Sequence, residues 1–139
     1  MAVDQVLTWP NAEDEAKHLC RLVLVDGVAP YRVGRETAPG ADFQTPSIRI
    51  ERVGGEINAD RTQDAPLIEF ASFGENYTQA QAMSMAIERL LAEHVGERLL
   101  DAELDSFRME NGPKRPAWGD NARRDIVTWR LRWRPVVSR

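Results

Sequence analysis

The chain has 139 residues, of which 42% are hydrophobic and 29% charged, and its formal net charge is −4. These totals are typical of one folded globular domain, which we take as residues 1–139, and exclude a disordered or fibrous chain. No apolar run approaches the roughly 20 residues of a membrane-spanning helix, and the single cysteine, Cys20, excludes an internal disulfide.

The first predicted element is a helix that begins at Asn11, a favourable N-cap residue followed by three acidic residues in the first turn. Apolar residues at helical spacing continue as far as Leu24, and Gly27 is placed to end the helix as the C′ residue. We predict a short strand at residues 31–33. The predicted buried stripe of the helix comprises Ala12, Ala16, Leu19, Cys20, Val23 and Leu24.

The middle of the chain predicts a pair of strands. Residues 47–53 alternate apolar and charged side chains, and Gly54 and Gly55 follow as a pair suited to a tight hairpin turn. Residues 58–63 are polar and predict a widened loop. Residues 67–73 are apolar at most positions, which predicts a strand in the centre of a sheet.

The last third predicts a helix and two more strands. The helix begins at Thr78, with Gln81 as the partner in a capping box, and Gly96 lies near its end. We predict a strand at residues 104–109, a loop at 111–119 and a final strand at 125–135. In that final strand Val127, Trp129, Leu131 and Trp133 share one face, and Thr128, Arg130, Arg132 and Arg134 share the other.

The predicted order of elements is α-β-β-β-α-β-β. Because the strands are joined by hairpins more often than by crossovers, the order predicts an α+β fold with a mostly antiparallel sheet and two helices packed on one face. The alternation in the last strand places the two tryptophans beneath the helices and the arginines in a row on the other side.

The sequence lacks a recognisable catalytic or metal-binding set, so we expect no enzyme activity, no cofactor and no metal. His18 and His94 have no motif around them, and the glycine pair has no Lys-Ser/Thr sequence after it for binding phosphate. The alternative from a different functional class is a small metal-dependent nuclease or resolvase that uses Asp60, Asp64 and Glu69. Restriction-type nucleases also need a nearby lysine on an adjacent strand, and the two lysines of this chain lie on neither candidate strand.

Charge is distributed unevenly along the chain. Residues 108–139 carry nine basic and three acidic side chains, a net charge of +6, which leaves −10 for the first 107 residues. Opposed charges of this kind suit head-to-tail contact between copies or contact with a charged partner. An ordinary solvated surface is the alternative interpretation.

Four segments, in order, resemble the tail terminator proteins of phages with long non-contractile tails, particularly those of actinobacteria. Residues 45–55 (TPSIRIERVGG) resemble the family's proline-led hairpin strand, and residues 64–70 (DAPLIEF) its central strand. An alanine-rich helix at 79–91 follows, and the Asn-Gly-Pro loop from 111 with the strand at 124–134 matches the final hairpin. The resemblance spans residues 3–134.

The resemblance implies a ring, usually of six copies, that lies at the junction of tail and neck in the virion after assembly in the host cytoplasm. Its implied partners are further copies of itself, the tail tube protein and the head-tail connector or neck protein, while DNA passes only through the lumen. Another neck or head-completion connector protein is the alternative within this class. The candidate assembly residues are Arg130, Arg132, Arg134, Gly54, Gly55, Arg61, Asp64, Lys114, Arg115 and Trp118.

Overall fold

The computed structural model describes residues 6–7, 11–25, 27–30, 32–34, 46–57, 64–114, 117–118, 122–135 and 137–138. Two helices and a mostly antiparallel sheet confirm the predicted fold class and the predicted order of the main elements. The elements are β1 (Val6–Leu7), α1 (Ala12–Cys20), β2 (Arg32–Gly34), β3 (Ser47–Ile57), β4 (Asp64–Gly74), α2 (Tyr77–His94), β5 (Ala102–Lys114), β6 (Ala117–Trp118), β7 (Ala122–Pro135) and β8 (Val137–Ser138).

The main sheet has the strand order β2-β3-β4-β7-β5, and β6 pairs with β7 beside this path. β2 runs parallel to β3, whereas the other neighbours are antiparallel. The predicted central strand, β4, lies between β3 and β7, as expected from its apolar sequence. β1 and β8 form a separate two-stranded sheet that brings the two ends of the chain together.

The core lies between one face of this sheet and the two helices. Trp129 and Trp133 are 4% and 1% exposed, which confirms the predicted apolar face of the last strand. Residues from α2 belong to the same buried cluster, and Leu90 is partly buried against it. Within the described residues, the helices are too short or too polar to span a membrane. The cluster includes Leu19, Ile48, Ile50, Ile68, Phe70, Met83, Ile87, Leu91, Leu104, Val127 and Leu131.

The end of α1 differs from the prediction. Asn11 is the N-cap, as expected, and its side-chain oxygen accepts hydrogen bonds from the backbone N–H groups of Glu13 and Asp14. The helix ends at Cys20, however, and Leu24 is exposed rather than buried. The prediction that Gly27 ends the helix is therefore wrong. Gly27, at φ 79°, lies instead in a tight turn whose flanking residues Val25 and Val28 exchange backbone hydrogen bonds.

The predicted hairpin turn at Gly54 and Gly55 is also wrong. Both glycines lie within β3, which continues to Ile57 and pairs with β4 as far as Asp64. The register shifts between Arg52 and Gly54, which is a β-bulge, and glycines commonly occupy such positions. The glycine pair therefore extends the β-hairpin instead of closing it.

Two further boundaries differ from the prediction. The N-cap of α2 is Asn76, which accepts a hydrogen bond from the backbone N–H of Gln79 at 2.8 Å, so the predicted start at Thr78 with Gln81 as capping partner is wrong. β5 extends to Lys114, so residues 111–114 are strand and not part of the predicted loop. Local cap and turn preferences could not show how far the strand pairing extends, because it depends on partners elsewhere in the chain.

Candidate assembly surfaces

The arginine row of β7 lies on the sheet face opposite the helices, as predicted, but its charges are largely engaged within the chain. The Arg130 Nε–H donates to Glu110 Oε1 at 2.9 Å, and Arg134 pairs with Asp105 at 3.1 Å. Arg108 shares the Glu110 carboxylate, and these two arginines, Arg108 foremost, lower the pKa of Glu110. Because Arg132 also has an interaction within the chain, the row is a compact polar surface and not a set of free charges.

The two long hairpins of the sheet point in opposite directions. Pairing of Ile57 with Asp64, and of Asp64 with Trp133, places the end of the β3–β4 hairpin beside the C-terminal end of β7. Pairing of Trp118 with Ala122 places the close of the β5–β7 region at the other end of the sheet. Each copy therefore has two opposed ends built from hairpins.

The remaining predicted site residues divide between these two ends. Gly54, Gly55 and the backbone of Asp64 belong to the β3–β4 hairpin. The backbones of Lys114 and Trp118 belong to the opposite end. Arg61 and Arg115 lie outside the described residues, as does Asp60 of the nuclease hypothesis. The structure therefore does not bring the described members of this set to a single site.

Two carboxylates in the first turn of α1 hold the helix against the rest of the molecule. Glu15 is 1% exposed, and its two oxygens accept hydrogen bonds from the backbone N–H groups of Leu100 and Asp101 at 2.9 and 2.7 Å. Glu13 accepts a hydrogen bond from the backbone N–H of Arg52 in β3 at 3.2 Å. The acidic first turn was predicted only as a favourable helix start, whereas it also fixes the position of α1.

Replacing Glu15 should therefore loosen α1. We expect Glu15→Ala to lower the free energy of unfolding by about 1–3 kcal/mol, because two partly buried N–H groups lose their acceptors. Denaturant unfolding measures this change. Glu88→Ala, at an exposed position on α2, is the matched control and should change stability by less than about 0.5 kcal/mol.

The same carboxylate makes stability depend on pH. Burial raises the pKa of Glu15 despite the two backbone hydrogen bonds, which act in the opposite direction. A raised folded-state pKa gives a contribution that is complete below the ordinary glutamate pKa of about 4.3 and falls as pH rises through the raised value. The amide side chain of Glu15→Gln does not titrate. The free energy of unfolding of wild type should therefore fall relative to that of Glu15→Gln as pH rises over that range, so that the advantage of wild type narrows. A difference that widens with pH would contradict this assignment.

A cationic cleft, defined by Lys17, Arg21 and Arg32, opens between α1 and β2. It has a volume of about 440 Å³, and Pro30 and Val33 complete its lining. Lys17 and Arg21 are four residues apart, which places them on one face of the helical turn. That spacing is visible in the sequence. The position of Arg32 beside the two side chains depends on the path of the chain after α1, so the cleft was not predicted.

The described residues provide little for catalysis. They contain no group of three or more His, Cys, Asp or Glu side chains placed to hold a metal ion. The Cys20 thiol is fully buried, and this burial raises its pKa, which disfavours the reactive thiolate. His94 lies against its own helix, with Nδ1 2.8 Å from the carbonyl oxygen of Leu90.

Comparison with known proteins agrees with an assembly role. Among solved structures, a chain from the "Virion of native gene transfer agent (GTA) particle" is similar in fold, with a TM-score of 0.60 and 15% identity. The similarity covers 88% of this chain and 94% of that chain. No curated protein sequence matches. The family model described as "Phage tail termination protein" matches residues 9–115, from the segment before α1 into the region after β5. The chain therefore belongs to the phage tail termination protein family and is a tail-completion protein of the virion.

Proposed function

We propose that this chain forms a closed ring, of six copies, that caps the completed tail tube, stops its polymerisation and provides the docking surface for the head connector. The observation that supports this most directly is the opposed direction of the two hairpins. A cap must contact the tube at one end and the head at the other, and each copy has a hairpin end available for each contact. Membership of the tail termination family gives the proposal its biological setting.

A tube that grows by addition of identical rings offers the same surface after every addition. A cap stops growth when it binds that surface and offers a different one in its place. The hairpin ends of this chain meet the condition, because they are built from different strands and different sequences. Gly54, Gly55, Arg61 and Asp64 are assigned to one contact, and Lys114, Arg115 and Trp118 to the other.

The sheet edges remain for contact between copies. Among the described strands, β2 lies at one edge of the main sheet, and β5, with the short β6, lies at the other. A cyclic ring uses two different surfaces on opposite sides of each copy, so that each copy presents one to each neighbour. Exposed ion pairs contribute only about 0.2–1 kcal/mol each, so ring closure depends on apolar contacts as well as on charge. We infer that the ring closes fully only on the tube.

The proposal is tested by infection with a phage that carries this gene interrupted by a stop codon. Electron microscopy should show tails that are longer than wild type, variable in length and not joined to heads. Supplying the protein from a plasmid should restore both length and joining. Unjoined tails of normal length would indicate a neck connector instead of a terminator, and normal joined tails would refute both assignments.

A further inference from the structure

Almost every basic side chain that the structure describes is engaged within the chain. Ion pairs, hydrogen bonds to carbonyl groups and a contact between Arg49 and the Phe73 ring account for most of them. Arg124 and Arg132 also have interactions within the chain. In this part of the chain the cationic side chains with no ion pair, hydrogen bond or ring contact are Lys17, Arg21 and Arg32, the three that define the cationic cleft.

Three unpaired cations around one cleft repel one another, since like charges at close range raise the free energy of the folded state. An anionic partner would remove this cost. The guanidinium groups of Arg21 and Arg32 present planar pairs of N–H donors that match a carboxylate, and Lys17 adds a third cation. The lining therefore fits a group with one or more carboxylates.

Exposed apolar side chains lie close in sequence to the residues that line the cleft. Leu22, next to Arg21, is 45% exposed, and Leu24 and Val28 are 56% and 61% exposed. Val28 lies two residues before Pro30, which lines the cleft. Apolar side chains beside an unpaired charged cleft are typical of a protein interface, in which apolar contacts supply affinity and charges supply orientation.

We propose that this surface binds the carboxylate-bearing side of a second copy of the same chain. The proposal rests on the proposed ring and deepens it by naming the lateral contact. The cleft lies at the β2 edge of the sheet, and the exposed, unpaired carboxylate of Glu97 lies in the segment that leads into β5, at the opposite edge. Glu88, also exposed and unpaired, lies on α2, which packs over β4 and β7, next to β5 in the sheet. Repeating the contact around an axis would join the two edges of successive copies.

A protein partner fits the observations better than nucleic acid does. Nucleic-acid surfaces carry a basic stripe long enough to follow several phosphates, and they contribute to a basic domain. Here the cleft contains three cations in a chain with a net charge of −4 and an isoelectric point of about 5.2. The neighbouring leucines and valine add apolar area that a phosphate backbone would not cover.

The contact can be identified by photo-crosslinking on tails capped in the infection experiment. The photoreactive residue p-benzoylphenylalanine replaces Val28, whose side chain is 61% exposed, and a second protein carries it at Leu24. Illumination should give a covalent product of twice the 15.7 kDa chain mass, identified by mass spectrometry as two copies of this chain. Products with only the tube protein, the connector or DNA would overturn the proposal, as would the absence of any product in capped tails.

A charge-matched pair of variants tests the cations themselves. Arg21→Gln with Arg32→Gln should reduce the yield of the crosslinked pair at least about tenfold, while circular dichroism shows a folded chain. The control, Arg89→Gln with Arg108→Gln, removes the same charge from exposed arginines that have partners within the chain, and should leave the yield within about twofold. An equal loss in both variants, or in neither, would overturn the assignment of the cleft.

The two proposals fail in different ways. If wild-type protein leaves tails at uncontrolled length, the capping function is wrong, and crosslinking of concentrated purified protein still shows whether two copies meet at this cleft. If wild-type protein caps tails and no pair forms through the cleft, the capping function stands and the lateral contact proposed here is wrong.

Discussion

Trp129→Ala should lower the free energy of unfolding by about 3–5 kcal/mol, the range for removing a large aromatic side chain from a packed core. The indole is 4% exposed and lies in β7 between Ile68 of β4 and Met109 of β5. The Phe107 ring meets it edge to face, with ring centroids 5.5 Å apart. The substitution therefore leaves a cavity where β4, β5 and β7 join, and no single neighbouring side chain can fill it.

Denaturant unfolding of wild type and variant measures this effect, with an unchanged slope showing that the two unfold in the same way. Thr128→Ala is the matched control because Thr128 is adjacent in sequence, half-buried and on the opposite face of the sheet. Thr128→Ala should lower the free energy of unfolding by less than about 1 kcal/mol. A loss below about 1 kcal/mol for Trp129→Ala would show that the indole does not belong to the core.

Gly55→Ala should also lower the free energy of unfolding, by about 3 kcal/mol or more, because an added Cβ atom would clash with the backbone of β4. A Cβ atom at this position would lie 2.3 Å from the Ala65 carbonyl oxygen and 2.5 Å from the Cα atom of Pro66, both of them backbone atoms of the paired strand. The residue also has φ +93°, a conformation that costs an L-residue about 1–2 kcal/mol. Together the clash and the strained dihedral should separate β3 from β4 near the end of the hairpin.

Substitutions at two other glycines measure the cost of the dihedral angle and the cost of the steric contact separately. Gly96 has φ +84° with open space where a Cβ would lie, so Gly96→Ala should show the dihedral cost alone, about 1–2 kcal/mol. At Gly54 a Cβ would meet only the end of the flexible Leu67 side chain, at 3.3 Å, and the cost should be below about 1 kcal/mol. If Gly55→Ala and Gly96→Ala lowered the free energy of unfolding equally, the clash with the β4 backbone at Gly55 would contribute nothing to the loss of stability.

The parts of the fold that could be predicted are those in which local pattern and tertiary structure agree. Alternation in residues 125–135 identified the buried tryptophans because one face of β7 lies against the helices and the other faces away. Asn11 was identifiable as an N-cap because its side chain acts on N–H groups only two and three residues ahead. The order of hairpins predicted the sheet, and the ordered motifs predicted the family that matches residues 9–115.

The errors have a common physical cause. Gly27 and Gly55 both allow positive φ, and the sequence does not show whether that conformation ends a helix, closes a turn or permits a bulge within a strand. The sequence likewise does not show which charged side chains form ion pairs with each other in the folded chain. The arginine row of β7 stood out in the sequence, but the partners of Arg130 and Arg134 come from β5, across a register that contains bulges. The cations without partners come from α1 and β2, within the acidic part of the chain.

The central claim, a ring of this chain between the tail tube and the head, is tested most directly by cryo-electron microscopy of the head–tail junction in intact virions. We expect one closed ring of six copies on the last tube ring. One hairpin end of every copy should contact the tube and the other should contact the connector, while the cationic cleft of each copy meets the next copy. Absence of this chain from the junction, or its presence at the distal end of the tail, would contradict the account.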